Sequence, residues 1–559
     1  MDKIVFKKSA DPFQSAGLAA LIDRLRKQEL NDTVWRIEEE SLIIESNTLS
    51  NILLDVYEEV GRDYYDTSTL KQKKEMAGFY YDTKQKKLIT YAKVKPIGFS
   101  QLINNSRPMP KASSMKYKEL DHDIQDIIKQ EASNHGIKFN EKDTIYINDR
   151  NTAIPELADF NIQPGSNTCI TCGESYKYTS ETVKFSPFLG GKSAGLGFVS
   201  QTRKPEQVCW KCMYLYRLSV GKFVYNTEIK GKDQKVHSFF FDVNTLEGLD
   251  WVNNKLLPLS FLYSRRQRED CGFRRNFDFF YEGRKIISTT HFHEELLALL
   301  YTLYEKYQTV KSENSEVAKY LGFENTLLYH TSVFYINAKK FGPTLRPQAS
   351  GNYNDLDYLF RLFDLMHVPA VGKIDMYSVY LHTVDYSVIS KPGKKRYDIA
   401  LLSRNKIAER ILFKRTISDI LEEIVCKPEN HKHNDMLTFL KLYESYINYG
   451  GNMAMNDEIR DFALYLGYKI GTAVVKDKGN TKIGKAKIIQ LRKSRSLESF
   501  LDVVISIQSR FGIQIDKKLL DSINVDNFNY VRQFCVINAL NTISSVEHKK
   551  NKQEVPNEQ

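Results

Sequence analysis

The sequence predicts a multidomain α+β protein: an N-terminal mixed α/β region carrying a four-cysteine insertion, a middle α+β region, and a mainly α-helical C-terminal bundle. Three observations predict it. The 559 residues exceed what one core accommodates, because domains run to roughly 100–200 residues. Hydrophobic residues make up 42% and aromatic residues 12%, enough to fill several cores and too much for a disordered chain. Apolar spacing also changes along the chain, from mixed helix and strand periods early to the three-and-four spacing of helices late.

The elements follow from that spacing. AGLAALIDRLRK (16–27) has a helical period and KLITYAKV (87–94) alternates like a strand, which makes residues 1–160 an N-terminal α+β domain. Paired cysteines mark an insertion over 161–235, and VHSFFFDVN (236–244) reads as a buried strand opening a middle α+β region over 236–400. From about residue 285 helices are expected to dominate, with Thr290 able to cap HFHEELLALLYTLYEKY. ISDILEEIV and MLTFLKLYESYI continue the helical spacing into a bundle over 401–545, and 546–559 holds too little apolar material to fold. The opening MDKIVFKKSADPF lacks the apolar run of a secretory leader and no stretch reaches the ~18 apolar residues of a spanning helix, so a cytoplasmic protein is expected.

The strongest chemical signal is Cys169-x-x-Cys172 followed by Cys209-x-x-Cys212. Two such turns deliver four thiolates to one tetrahedral zinc ion, with Gly173 supplying a tight turn after the first pair. A site closed by four sulfurs has no position for water, so it reads as a structural zinc finger. Cys271, Cys426 and Cys535 stand far apart with no histidine or acid grammar around them, and read as small buried side chains. Between the pairs, Gly190-Gly-Lys-Ser193 falls short of a nucleotide-binding loop because Ser186 stands where its first glycine belongs. Lys192 in that glycine-rich loop is still placed to meet a nucleic-acid backbone.

An N-terminal Asp11-Pro-Phe-x-x-Ala-Gly17 before an apolar helix, then Cys-x-x-Cys, a Phe/Gly-rich insertion, Cys-x-x-Cys and a helical C-terminus resembles the CXXC-CXXC large-subunit family of type I-B CRISPR surveillance complexes (Cascade). The resemblance runs in order of parts from about Lys8 to about Leu540, and its specific motifs are the N-terminal one and the cysteine pairs. It implies a non-enzymatic subunit of an antiviral ribonucleoprotein. Its implied partners are the 5′ handle of the guide crRNA, the flanking (PAM) duplex of target double-stranded DNA, the displaced strand, the backbone and handle-binding subunits, and a helicase-nuclease or a transposition adaptor. It also implies that the C-terminal helices can be made separately as a small subunit, for which Gly450-Gly-Asn-Met-Ala-Met455 offers internal starts at Met453 or Met455.

The charge distribution agrees with nucleic-acid contact. The chain carries a net +11, and Lys469 to Arg495 alone holds nine Lys or Arg against Asp477. Lys476, Lys478, Lys482, Lys485, Lys487, Arg492, Lys493 and Arg495 are therefore candidate phosphate contacts, a solvated helix face being the competing reading. Gly479-Asn-Thr-Lys-Ile-Gly-Lys-Ala486 in the same stretch has nucleotide-loop spacing but ends in Ala486, where a magnesium-binding hydroxyl is required. Arg265, Arg266, Arg268, Arg274 and Arg275 interleave with Tyr263, Phe273 and Phe277, a mixture suited to phosphate contact and base stacking. Arg107, Lys111, Lys116 and Lys118 decorate a proline-broken loop.

Two histidine-containing stretches raise enzyme readings. His291-Phe-His-Glu-Glu295 lacks the second histidine of a zinc protease, Leu297 standing in its place. His431, His433 and Asp435 leave a metal-dependent HD-type nuclease as one alternative, and a zinc-containing scaffold unrelated to CRISPR as another.

Overall fold

The computed structural model describes residues 2–30, 33–60, 79–83, 85–90, 113–136, 144–147, 165–177, 180–181, 207–230, 233–256, 273–274, 278–281, 285–289, 291–313, 331–341, 344–368, 374, 376, 379, 394–426, 434–448, 457–477 and 481–553. Helices and small sheets mix, and the chain forms two compact units, neither a single run of sequence: 1–276 with 306–356, and 277–305 with 357–559.

In the first unit, β1 (Asp2–Lys7) pairs with β3 (Ser41–Ser46), which pairs with β2 (Trp35–Glu38), all antiparallel. Ile4, Phe6, Leu42 and Ile44 are buried on one face, and Ile43 of the middle strand is buried on the other. α1 (Pro12–Lys27) starts where Asp11 accepts hydrogen bonds from the amides of Phe13 and Gln14 and Pro12 fixes the first turn. It ends on Arg24, Arg26 and Lys27, whose charges complement the helix dipole. α2 (Leu49–Val60) buries Leu53, Val56 and Tyr57. A four-stranded sheet follows: β4 (Phe79–Asp82), β5 (Lys87–Thr90), β6 (Ser113–Lys116) and β7 (Thr144–Ile147), in the order β5-β4-β7-β6. Its core of Tyr81, Leu88, Tyr117 and Ile145 closes against Ile128 and Ala132 of α3 (His122–Asn134).

Two short pairs carry the cysteine turns, β8 (Asn167–Thr168) with β9 (Ser175–Tyr176) and β10 (Ser180–Glu181) with β11 (Gln207–Val208). α4 (Trp210–Leu218) leaves the second turn and leads to β12 (Val224–Lys230) and β13 (Asp233–Val243), the strand expected at 236–244. α5 (Leu246–Asp250) follows, capped by the Thr245 hydroxyl. The unit's largest sheet has the order β14-β12-β13-β17-β18, with β14 (Phe273–Arg274), β17 (Thr331–Phe341) and β18 (Thr344–Tyr353). The long β17–β18 pair interrupts the stretch where helices were expected to dominate. TSVFYINAKKF carries a β-branched and aromatic run at 333–336, and β13 from Lys235 to Val243 offers an antiparallel partner to Thr331–Lys339.

The second unit begins with the hairpin of β15 (Asp278–Tyr281) and β16 (Lys285–Ser288) and continues in helices: α6 (Phe292–Glu313), whose residues from Lys306 on belong to the first unit, α7 (Leu356–Met366), α8 (Lys394–Leu412), α9 (Ser418–Val425), α10 (Asn434–Asn448), α11 (Asp457–Lys476), α12 (Thr481–Lys493), α13 (Leu497–Phe511), α14 (Lys517–Asp521) and α15 (Phe528–Gln553). Thr290 lies outside the described residues. α15 packs against α9, α11, α12 and α13, burying Val531, Phe534, Val536 and Ile543. It also runs on to Gln553, into the stretch expected to be unfolded, because the helix is anchored by this upstream core and its polar end needs only to continue an existing ladder. Among the described residues no helix is long and apolar enough to cross a membrane.

Candidate metal centre

Cys169, Cys172, Cys209 and Cys212 come together in the first unit, their sulfur atoms all within 4.8 Å of one another. Local backbone chemistry sets each turn. In the first, the Cys169 amide donates to the Glu174 carbonyl at 2.9 Å and the Gly173 amide donates to the Cys169 carbonyl at 2.9 Å. Gly173 closes this turn at φ +73°, a conformation in which any Cβ is strained. In the second, Cys209 is the N-cap of α4, the Met213 amide donates to the Cys209 carbonyl at 3.0 Å, and the Cys209 amide points at the Cys169 sulfur at 3.3 Å. Cys169, Cys209 and Cys212 are buried and Cys172 is exposed.

Four thiols this close cannot ionise independently. Hydrogen bonds from Cys172, then Cys209 and Cys212, hold the Cys169 thiol far below its ordinary value. Cys169 pushes Cys172 up, but Cys209 and Cys212 outweigh it and Cys172 is lowered too. Cys209 and Cys212 are driven far above the ordinary range, each first by Cys169 and then by Cys172. Like charges at this spacing repel, so four thiolates coexist only around a cation. The donor set therefore fits one divalent metal ion. Beside it, Lys211 contacts Glu174 at 2.7 Å and sits 5.7 Å over the Tyr176 ring, and the Tyr176 hydroxyl donates to Glu174.

The N-terminal motif wraps the same centre, which the sequence pattern did not reveal. Asp11 accepts from the Tyr216 hydroxyl of α4, and that oxygen lies 3.2 Å from the Thr171 hydroxyl inside the first cysteine turn. Buried Gln14 donates to the Cys212 carbonyl at 2.8 Å. A Cβ on Gly17 would fall 2.0 Å from the Leu215 carbonyl oxygen, so glycine lets α1 and α4 touch backbone to backbone. Phe13 packs on Tyr216, Phe223 and Phe334. The signal was present as the spacing of Asp11, Gln14 and Gly17, which places them on the first turns of one helix.

The candidate nucleic-acid residues fare differently. Lys192, Arg265, Arg266, Arg268, Arg275 and Lys478 lie outside the described residues, as do Arg107 and Lys111. Arg274 is on β14 opposite Asn226, and Lys116 and Lys118 are exposed. In the second unit, Lys476, Lys482, Lys493 and Arg495 are exposed, whereas Arg492 is half-buried. Lys485 pairs with Glu547 at 2.8 Å and Lys487 donates to the Ser506 hydroxyl at 2.8 Å. The Lys469 ammonium donates to the Gln514 carbonyl and sits 4.6 Å over Tyr465. Beside it a cavity of about 550 Å³ is bounded by Tyr468, Lys476, Arg510 and Gln514. Gly484, the would-be nucleotide-loop glycine, is inside α12, where an added Cβ would fall 2.4 Å from Val474 Cγ1. Its role is helix packing.

The enzyme candidates do not assemble a second centre among the described residues. His431 and His433 lie outside them, and Asp435 is in the first turn of α10. Glu294 forms a buried ion pair with Arg404, the amide of His293 donates to Asn405 at 3.0 Å, and Leu297 is buried, so this segment anchors the start of α6 on α8. Cys535 is buried, which pushes its thiol well up. Burial pushes Cys426 up to about 11, against the opposing pull of Arg492. Cys271 lies outside the described residues. No family model matches the chain, and no curated protein matches it at a significant level.

Proposed function

We propose that this chain is the non-catalytic large subunit of a type I-B CRISPR surveillance complex, a platform stapled by zinc that meets guide RNA and target DNA without cutting either. The observation that carries the reading is the convergence of Cys169, Cys172, Cys209 and Cys212 on one point. A tetrahedral site with zinc–sulfur bonds of about 2.3 Å has edges of about 3.8 Å, and Cys172 and Cys209 stand 3.7 Å apart. When bound, zinc would offset two of the four thiolate charges, screen their mutual repulsion and crosslink two turns. With all four positions taken by sulfur it stabilises the fold and activates no water.

The nucleic-acid half of the reading is supported by the exposed basic residues Lys476, Lys482, Lys493 and Arg495 and by the order of motifs along the chain. Lys192 and the arginines at 265, 266, 268, 274 and 275 are proposed as further contacts in the same role. Coexpression with the neighbouring genes tests it. The expected result is copurification with a short guide RNA, with repeated backbone subunits and with one zinc per chain, and mass spectrometry of that complex reveals any fragment starting at Met453 or Met455. A chain that purifies without RNA and cleaves DNA by itself in a divalent ion would overturn the reading, and loss of that cleavage in His431→Ala would establish the nuclease instead.

A further inference from the structure

From the contacts that α1 makes with the cysteine turns, we infer that the N-terminal Asp11–Gly17 motif is the outer support of the metal centre, with Gln14, Asp11 and Tyr216 as positioning residues. This rests on the metal-binding reading above. Ligands that hold a metal tightly are themselves held: groups behind them fix their orientation, and removing such a support typically weakens binding about 10–100-fold. Here two of the supports, Asp11 and Gln14, come from outside the cysteine segment.

Two separate links make the connection. Gln14 is buried on α1 and its side-chain amide donates to the main-chain carbonyl of the ligand Cys212 at 2.8 Å, fixing the second turn from behind. Asp11 accepts the hydrogen bond that the Tyr216 hydroxyl donates, which leaves the Tyr216 oxygen free to accept from Thr171, a residue between Cys169 and Cys172. One hydrogen-bond chain thus joins the start of α1, the helix after the second turn and the interior of the first. Gly17 allows the approach, its Cα facing the Leu215 carbonyl with no room for a methyl group. The same Asp11 caps α1 through Phe13 and Gln14, so α1 and the metal turns share a residue whose two oxygens serve both. Binding free energies linked in this way act in both directions.

The test is metal transfer from the full chain, loaded with one zinc per molecule, to a chromophoric chelator, alongside the visible spectrum of the cobalt-substituted protein. Gln14→Leu and Tyr216→Phe should each accelerate release roughly 10-fold or more and shift the cobalt ligand-field bands. Leu25→Ala removes buried surface from the same helix about two turns beyond Gly17 and should leave both the release rate and the bands close to wild type. If the two positioning variants load zinc and release it at the wild-type rate, or if Leu25→Ala accelerates release as much as they do, the assignment is wrong. A wild-type chain that takes up no metal is recognised at the loading step, and that result overturns the metal reading itself.

Discussion

At Asp23 a single carboxylate shows how burial and charge divide the work. Its side chain contacts Lys222 at 3.0 Å and Lys27 at 2.8 Å, and Lys222 is almost fully buried. Burial alone raises the Asp23 pKa, but Lys222 and then Lys27 outweigh it, so the folded value lies below the ordinary one; burial lowers that of Lys222, against the pull of Asp23. A depressed carboxylate stabilises the fold above its unfolded pKa, and the stabilisation fades as pH falls through the folded value. Asp23→Asn should therefore cost about 2–3 kcal/mol at pH 7 by leaving a buried ammonium unpaired. The gap to wild type in denaturant titrations should narrow as pH drops below 3.8, and a gap independent of pH would contradict the charge argument. The buried Glu294–Arg404 pair makes a parallel case: Arg404→Met alone strands a carboxylate and should cost about 3–5 kcal/mol, while adding Glu294→Leu should recover much of it.

Elements explain what the sequence did and did not disclose. The cysteine turns were legible because two Cys-x-x-Cys pairs make a spacing that little besides metal ligation imposes, and α1 was legible over 16–27 from its apolar period; its earlier start at Pro12 behind the Asp11 cap was not read, so the motif expected before the helix forms its first turns. The β17–β18 pair was not legible. Val333 and Ile336 stand three apart, off the period of two, and the partner that makes them a strand, β13, lies about a hundred residues earlier, so the decisive interaction is non-local. The contact of the N-terminal motif with α4 was hidden for the same reason. Within the C-terminal helices, Lys485 and Lys487 are engaged by Glu547 and Ser506, whereas Lys482 and Lys493 are exposed. Neutralising an exposed residue, by Lys482→Gln or Lys493→Gln, should lower the slope of log affinity against log salt by about 0.7–0.9 for single- or double-stranded ligands. Lys485→Gln should change it less, and equal slopes for all three would show that the ion pair opens on binding. Helix packing makes its own prediction: Gly467 and Gly471 of α11 face the carbonyls of Cys535 and Ala539, where a Cβ would fall 2.3 and 2.6 Å away. Gly471→Ala should force α11 and α15 apart and cost about 1–3 kcal/mol, read as a lower denaturation midpoint with unchanged slope.

At the scale of the whole molecule, the four cysteines belong entirely to the first unit, while α9, α11 to α13 and α15 pack together in the second. A metal crosslink acts mainly by restricting the chain segments it joins, so its removal should be felt by the elements packed around it before it is felt elsewhere. Those elements are α1, held through Gln14 and Gly17, β8 and β9 in the first turn, and α4 in the second. Hydrogen exchange of the full chain before and after chelation reads this directly. Exchange should rise by an order of magnitude or more across 12–27, 167–176 and 209–221, while the buried amides of α9 and α15 keep their protection. In thermal unfolding, chelation should move a transition reported by the first unit to lower temperature and leave the loss of the C-terminal helical signal in place. Uniform loss of protection through both units would mean that the cysteine centre organises the entire protein, and no loss anywhere would mean that the four sulfurs hold their turns without a metal.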